Sequence, residues 1–178
     1  MADHIAQGEP NNLARAHVGH VRQLTQTRRC KFLKWLAKFT YHRNLLCTFK
    51  NQDLRDAYDL FNRIFFENTL RRTSTRVPIV IQWDPTLRGW GLTHFDPLRR
   101  ILIIDIGTRH KSGLHLAGTI LHEMCHAFFN KAPCDCANCL DEIRDANGVA
   151  RHDGAWDILR LAIQGRTKEL LGFQLDLH

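Results

Sequence analysis

The sequence has no apolar run approaching the roughly 18 residues of a membrane span, so no transmembrane segment is expected and no membrane partner is read from it. Its opening, Met1 to Pro10, carries neither a basic stretch nor an apolar one. No secretory signal is read there, and the protein is expected not to be secreted. Internal repeats and low-complexity tracts are absent, which sets aside a repeat architecture. Cysteine is present but not as a framework. Six cysteines in an unsecreted chain of 178 residues argue for reduced thiols or a metal rather than disulfides. A chain of this length buries a core without them.

Acid is nearly missing from the first 52 residues. That stretch holds nine Lys and Arg against only Asp3 and Glu9, and so carries the whole net charge of +7. Residues 53–178 hold sixteen charges of each sign. The asymmetry predicts a basic N-terminal arm, residues 1–52, followed by a folded domain, residues 53–178. The first twenty residues are polar and read as flexible. From Arg28 to Thr40, basic residues interleave with Phe32, Trp35, Leu36 and Phe39 at helical spacing. Arg28, Arg29, Lys31, Lys34, Trp35 and Lys38 are the candidate nucleic-acid contacts. The competing reading is an accessory helix with its apolar stripe on the domain and its lysines in water.

In the domain, Asp53 reads as the cap of a helix with an apolar stripe continuing to about Leu70. Val77 to Trp83 is a β-branched run and reads as a strand, with Pro78 near its start. Trp90 to Phe95 is a shorter strand. Arg100 to Ile106 is apolar on both faces and should be the central strand. A helix from about Leu114 to Lys131 follows, ended by Ala132-Pro133. A last helix should span about Asp153 to Leu171. Helices and a few strands in this order predict an α+β domain.

The Leu114–Lys131 helix carries His122-Glu123-Met124-Cys125-His126, an H-E-x-x-H pattern. Residues four apart share a helix face, so His122 and His126 can present two imidazoles to one point. Imidazole suits zinc, and Glu123 can reach a water on that ion without being a ligand. A catalytic zinc usually has three protein ligands. His152 is the best-placed third, with Asp153 as runner-up and Cys134, Cys136, Cys139 and Glu142 behind it. His115, seven residues before His122, reads as a surface spectator, and His94 as a surface histidine before an oxyanion donor. Cys134, Cys136 and Cys139 lack an obvious fourth ligand. They read as free thiols or a local disulfide ahead of a second zinc site. Cys125 reads as core.

Several separated motifs resemble those of the SprT-like metalloprotease domain found in Spartan-type, DNA-dependent proteases. They are Leu60-Phe61-Asn62 with Phe65-Phe66, the strand ending in Trp83, the Ile101–Asp105 strand, the run Thr119 to Ala127, and His152 with Trp156 four residues later. The resemblance covers about residues 53–160. It implies His122, His126 and His152 as zinc ligands and Glu123 as general acid and base. It implies a zincin-like α+β domain with a small mixed sheet packed by the H-E-x-x-H helix. It further implies a zinc endopeptidase that cuts proteins bound or crosslinked to DNA, stimulated by single-stranded DNA, in the nucleus or on chromatin. The chain departs from the family at Asp153, where the family carries glycine. The family's separate DNA-gripping zinc subdomain is not found here, and the basic arm is expected to contact DNA instead. A substrate lying extended along an edge strand would use Trp90 to Phe95. Two alternatives stand beside this reading: a non-catalytic zinc-containing DNA-binding protein, and a metallopeptidase with no DNA dependence.

Overall fold

The computed structural model describes residues 26–40, 50–71, 77–131, 154–172 and 174–177. In chain order these form α1 (Gln26–Thr40), α2 (Asn51–Phe65), β1 (Ile79–Trp83), β2 (Gly91–Asp96), β3 (Ile101–Ile106), α3 (Gly113–Lys131) and α4 (Gly154–Leu171). The fold is α+β: four helices and a three-stranded mixed sheet among the described residues.

The sheet order is β1-β3-β2. β3 is central, as its two-sided apolarity predicts. β1 runs parallel to it in the register Ile79↔Leu102, and β2 antiparallel in the register Thr93↔Ile104. The ladder begins at Ile79 rather than Val77, because Pro78 has no N–H to give; only its carbonyl takes part, accepting from Leu102 N at 2.9 Å. β3 likewise starts one residue later than expected. Arg100 has φ of 53°, which no strand residue adopts. It sits in the β2–β3 turn, where Asp96 Oδ1 accepts the N–H groups of Leu98 and Arg99 at 2.9 and 3.1 Å.

α2 begins two residues before the expected cap. Asp53 lies inside the first turn, where its carboxylate accepts the backbone N–H of Lys50 at 3.0 Å. The helix also stops at Phe65, five residues short of the expected Leu70. Its apolar stripe continues, but Glu67 and Asn68 take φ of 49° and 61°. Buried Asn62 fixes that turn: its carbonyl accepts from Phe66 and Asn68, and its Oδ1 accepts from Leu70 N at 3.1 Å. The Tyr58 hydroxyl closes the same turn on the Leu70 carbonyl at 2.7 Å.

One core joins all the layers. Ile79, Ile81, Leu102, Ile104 and Ile106 form one face of the sheet and pack against helices. α3 contributes Leu116, Ala117, Ile120, Leu121, Met124 and Phe128, and α4 adds Trp156, Leu159 and Ile163. α1 belongs to this core too. Phe32, Trp35 and Leu36 are buried, and the Phe32 and Trp35 rings meet Phe61 edge-on at 5.2 and 5.1 Å. The expected boundary between residues 52 and 53 therefore does not separate two cores.

The segment after α4 is also tied in. Leu175 and Leu177 are buried, Thr167 Oγ1 accepts Leu175 N at 3.2 Å, and Gln164 Nε2 donates to the Leu175 carbonyl at 3.2 Å. The Asp176 carbonyl lies so close to Gly118 on α3 that any Cβ there would overlap it. This contact sets the helix one turn before His122.

Candidate metal centre

α3 is buried along most of its length, and its H-E-x-x-H residues lie in the buried part. Glu123 is 5% exposed and His126 9%. The Nε2 atoms of His122 and His126 stand 2.9 Å apart, with ring centroids at 4.7 Å. Two nitrogens on one tetrahedral zinc stand about 3.3 Å apart, from bonds of about 2.05 Å. The pair thus fits two corners of such an ion with a small adjustment. Trp156 of α4 walls the pair: it stacks on His126 at 5.6 Å and 23°, and meets His122 edge-on at 5.0 Å. Arg160, one turn later, lies over the Trp156 ring at 5.5 Å and is held by Asp157 at 3.0 Å.

Glu123 points away from the histidine pair toward β2. Thr93 Oγ1 lies 2.7 Å from Glu123 Oε2 and 3.0 Å from the Glu123 carbonyl. Gly91, two residues before Thr93 on the same face of β2, leaves room for the carboxyl. A Cβ at Gly91 would stand 2.6 Å from Oε1 and 2.7 Å from Cγ. Burial pushes the Glu123 carboxyl up to about 7, against the opposing pull of the Thr93 hydrogen bonds. Cys125 faces the core, where burial raises its thiol far above the usual range.

Of the expected site residues, His122 and His126 come together, and Glu123, between them in sequence, is buried against Thr93 and Gly91 of β2. His152, the expected third ligand, lies outside the described residues, as do Asp153, Glu142 and Cys134, Cys136 and Cys139. Among the described residues no three His, Cys, Asp or Glu side chains gather where they could hold a metal. His94 is on the opposite face of β2 from Thr93, since successive strand residues alternate. There its Nε2 pairs with Asp105 at 2.9 Å, and Gln82 donates to the other Asp105 oxygen at 2.9 Å. His94 is thus no oxyanion donor for a substrate at Glu123. On α1, Lys31 and Lys34 are exposed, whereas Trp35 is buried and offers no free face to a base. Arg28, Arg29 and Lys38 lie on the α1 backbone, with side chains outside the description.

Three contacts are not read from the sequence. Thr93 lies in the candidate edge strand, and its place in the Gly91-Thr93-Phe95 alternation marks it as facing the same side as Gly91, but its pairing with Glu123 is not foreseen. Nor are the contacts of His110 and Trp90 with His115. His115 is no spectator: its Nδ1 is 3.0 Å from His110 Nδ1, and its ring meets Trp90 edge-on at 4.7 Å. Burial, then the neighbouring His115, pushes the His110 imidazole down to about 4. No spacing rule links His110 to His115 across a loop.

No family model matches the chain, and neither a curated protein nor a solved structure matches it. Among the described residues, no helix is long and apolar enough to cross a membrane.

Proposed function

We propose that the protein is a zinc-dependent endopeptidase of the SprT-like kind, acting on proteins bound or crosslinked to DNA. The observation that carries the proposal is the convergence of His122 and His126 on one point, with Glu123 buried beside them and held by Thr93. In this reading His122, His126 and His152 hold the zinc. The placement of Trp156 against both imidazoles, four residues after His152 in the sequence, supports the third ligand. Bound there, zinc supplies a Lewis acid that acidifies water and polarises a peptide carbonyl.

The chain's own residues do the rest. Glu123 accepts a proton from the attacking water and returns it to the leaving amine. Its burial keeps bulk water from competing for that proton. The substrate lies extended along β2, which pairs only with β3 among the described strands. Lys31 and Lys34, with the other cations of the first 52 residues, contact single-stranded DNA through its phosphates. The reading places the protein in the nucleus or on chromatin. Zinc content measured on the purified chain, and hydrolysis of an unfolded protein with and without a zinc chelator, tests the enzyme half. A chain that binds no zinc and hydrolyses nothing would sink it.

The burial of Phe32, Trp35 and Leu36 favours a second reading, in which α1 is a structural helix and the peptidase has no DNA dependence. Binding to single-stranded DNA that weakens steeply with salt separates the two, because only phosphate contacts release counterions.

A further inference from the structure

We propose that His110 and His115 form a second cation site, separate from the His122–His126 pair, for a divalent ion of the zinc type. His110 lies in the loop after β3 and His115 in the first turn of α3. Their Nδ1 atoms are 3.0 Å apart, and their rings lie at 5.1 Å and 53°. This is the spacing found at His122 and His126, and it needs the same small adjustment to share one ion.

The surroundings place each ring independently of the other. Ser112 Oγ accepts the His115 backbone N–H at 3.1 Å and fixes the first turn. Trp90 meets the His115 ring edge-on, and the Trp83 ring lies 6.3 Å from that of His110. The carbonyls of Gly107 and Trp90 bear on the His110 ring, while its buried Nε2 closes no hydrogen bond of ordinary geometry. With its proton on Nε2, the His110 ring would turn its Nδ1 lone pair toward His115, as a ligating imidazole requires.

Two imidazoles select zinc, copper or nickel over calcium and magnesium, which take oxygen ligands. Among the described residues no third His, Cys, Asp or Glu joins the pair. Seven residues separate His115 from His122, about 10 Å along a helix rising 1.5 Å per residue. That is beyond the roughly 4 Å spacing of a two-metal catalytic site. The ion's effect is therefore on the loop, which it clamps to the start of α3 beside Trp90.

The test is equilibrium dialysis of the metal-stripped full chain against Zn2+, with melting curves on each protein. His110→Gln and His115→Gln should each lose the same one equivalent of zinc. Both should show a smaller zinc-dependent rise in melting temperature than the wild type. His122→Gln should lose a different equivalent, so failure of the catalytic reading and failure of this one are told apart. If both His110→Gln and His115→Gln bind as much zinc as the wild type, the pair is an internal hydrogen bond and the proposal is overturned. A second measurement needs no variant. In the wild type, Zn2+ should slow modification of His115 by diethyl pyrocarbonate, and an unchanged rate also overturns the proposal.

Discussion

The Thr93 hydroxyl bridges two oxygens of the same residue, the carboxyl Oε2 of Glu123 at 2.7 Å and its backbone carbonyl at 3.0 Å. A hydroxyl has one proton to donate. When Glu123 is ionised, that proton goes to one of the two oxygens. When Glu123 carries a proton, the carboxyl donates to Oγ1 and the hydroxyl donates to the carbonyl, so every group is satisfied. Thr93 can therefore stay bonded to Glu123 in both of its states, and it ties α3 to β2 whichever state is present.

Thr93→Val should cost hydrolysis while leaving the fold intact. A hydrogen bond to a charged group contributes about 1.5–3 kcal/mol, so turnover should fall about 10- to 100-fold with KM little changed. Thr93→Ser keeps the hydroxyl and should recover most of the loss. Steady-state kinetics on the two variants checks this, and equal losses would show that Thr93 acts through packing alone.

Gly91→Ala should damage the same place by steric means. The added Cβ meets the Glu123 carboxyl at 2.6 Å, and neither the strand nor the buried side chain can move freely. Overpacking of this kind costs about 1–3 kcal/mol. Denaturant unfolding should report that loss, and activity should fall further than stability because the displaced group is Glu123.

Trp35→Ala separates the two roles open to α1. The ring is buried against Phe61, so its removal should cost about 3–5 kcal/mol of stability. Lys31→Gln with Lys34→Gln should leave stability within about 0.5 kcal/mol, since both side chains are exposed. If the proposed DNA contact is right, the lysine pair instead lowers single-stranded DNA affinity and flattens its salt dependence. Unfolding curves and binding isotherms on the same samples read both effects.

Cys125 should resist alkylation in the native protein. It is fully buried and its thiol is held protonated by burial and by the nearby Glu123. Cys30 is exposed and should react readily. Mass mapping after brief treatment with iodoacetamide checks this, and fast labelling of Cys125 would mean that α3 opens.

The residues that were legible in the sequence are those whose signal is local and periodic. The i, i+4 spacing of His122 and His126 puts them on one face of any helix, and an apolar run on both faces makes β3 central. What was not legible depends on partners far apart in the chain. The sequence leaves Trp35 open to two roles, a stacking ring for a base or part of a stripe packed on the domain, and only its contact with Phe61, far away in the chain, decides for packing. The stripe of α2 runs on past Phe65, and only the Asn62 side chain, bonding Leu70, shows why the helix stops. Thr93 meets Glu123 across thirty residues of sequence, and His110 meets His115 across a turn with no characteristic spacing. His152, the proposed third ligand on which the catalytic reading turns, lies outside the described residues.

The most direct test of the central claim is cleavage of a basic, DNA-binding protein by the zinc-loaded chain, with and without single-stranded DNA, beside Glu123→Gln. The account predicts fragments from the wild type in the presence of DNA, few or none without it, and none from the variant in either case. If wild type and Glu123→Gln leave the substrate equally intact while both bind zinc and DNA, Glu123 is no general base and the protein is a binding scaffold rather than a peptidase.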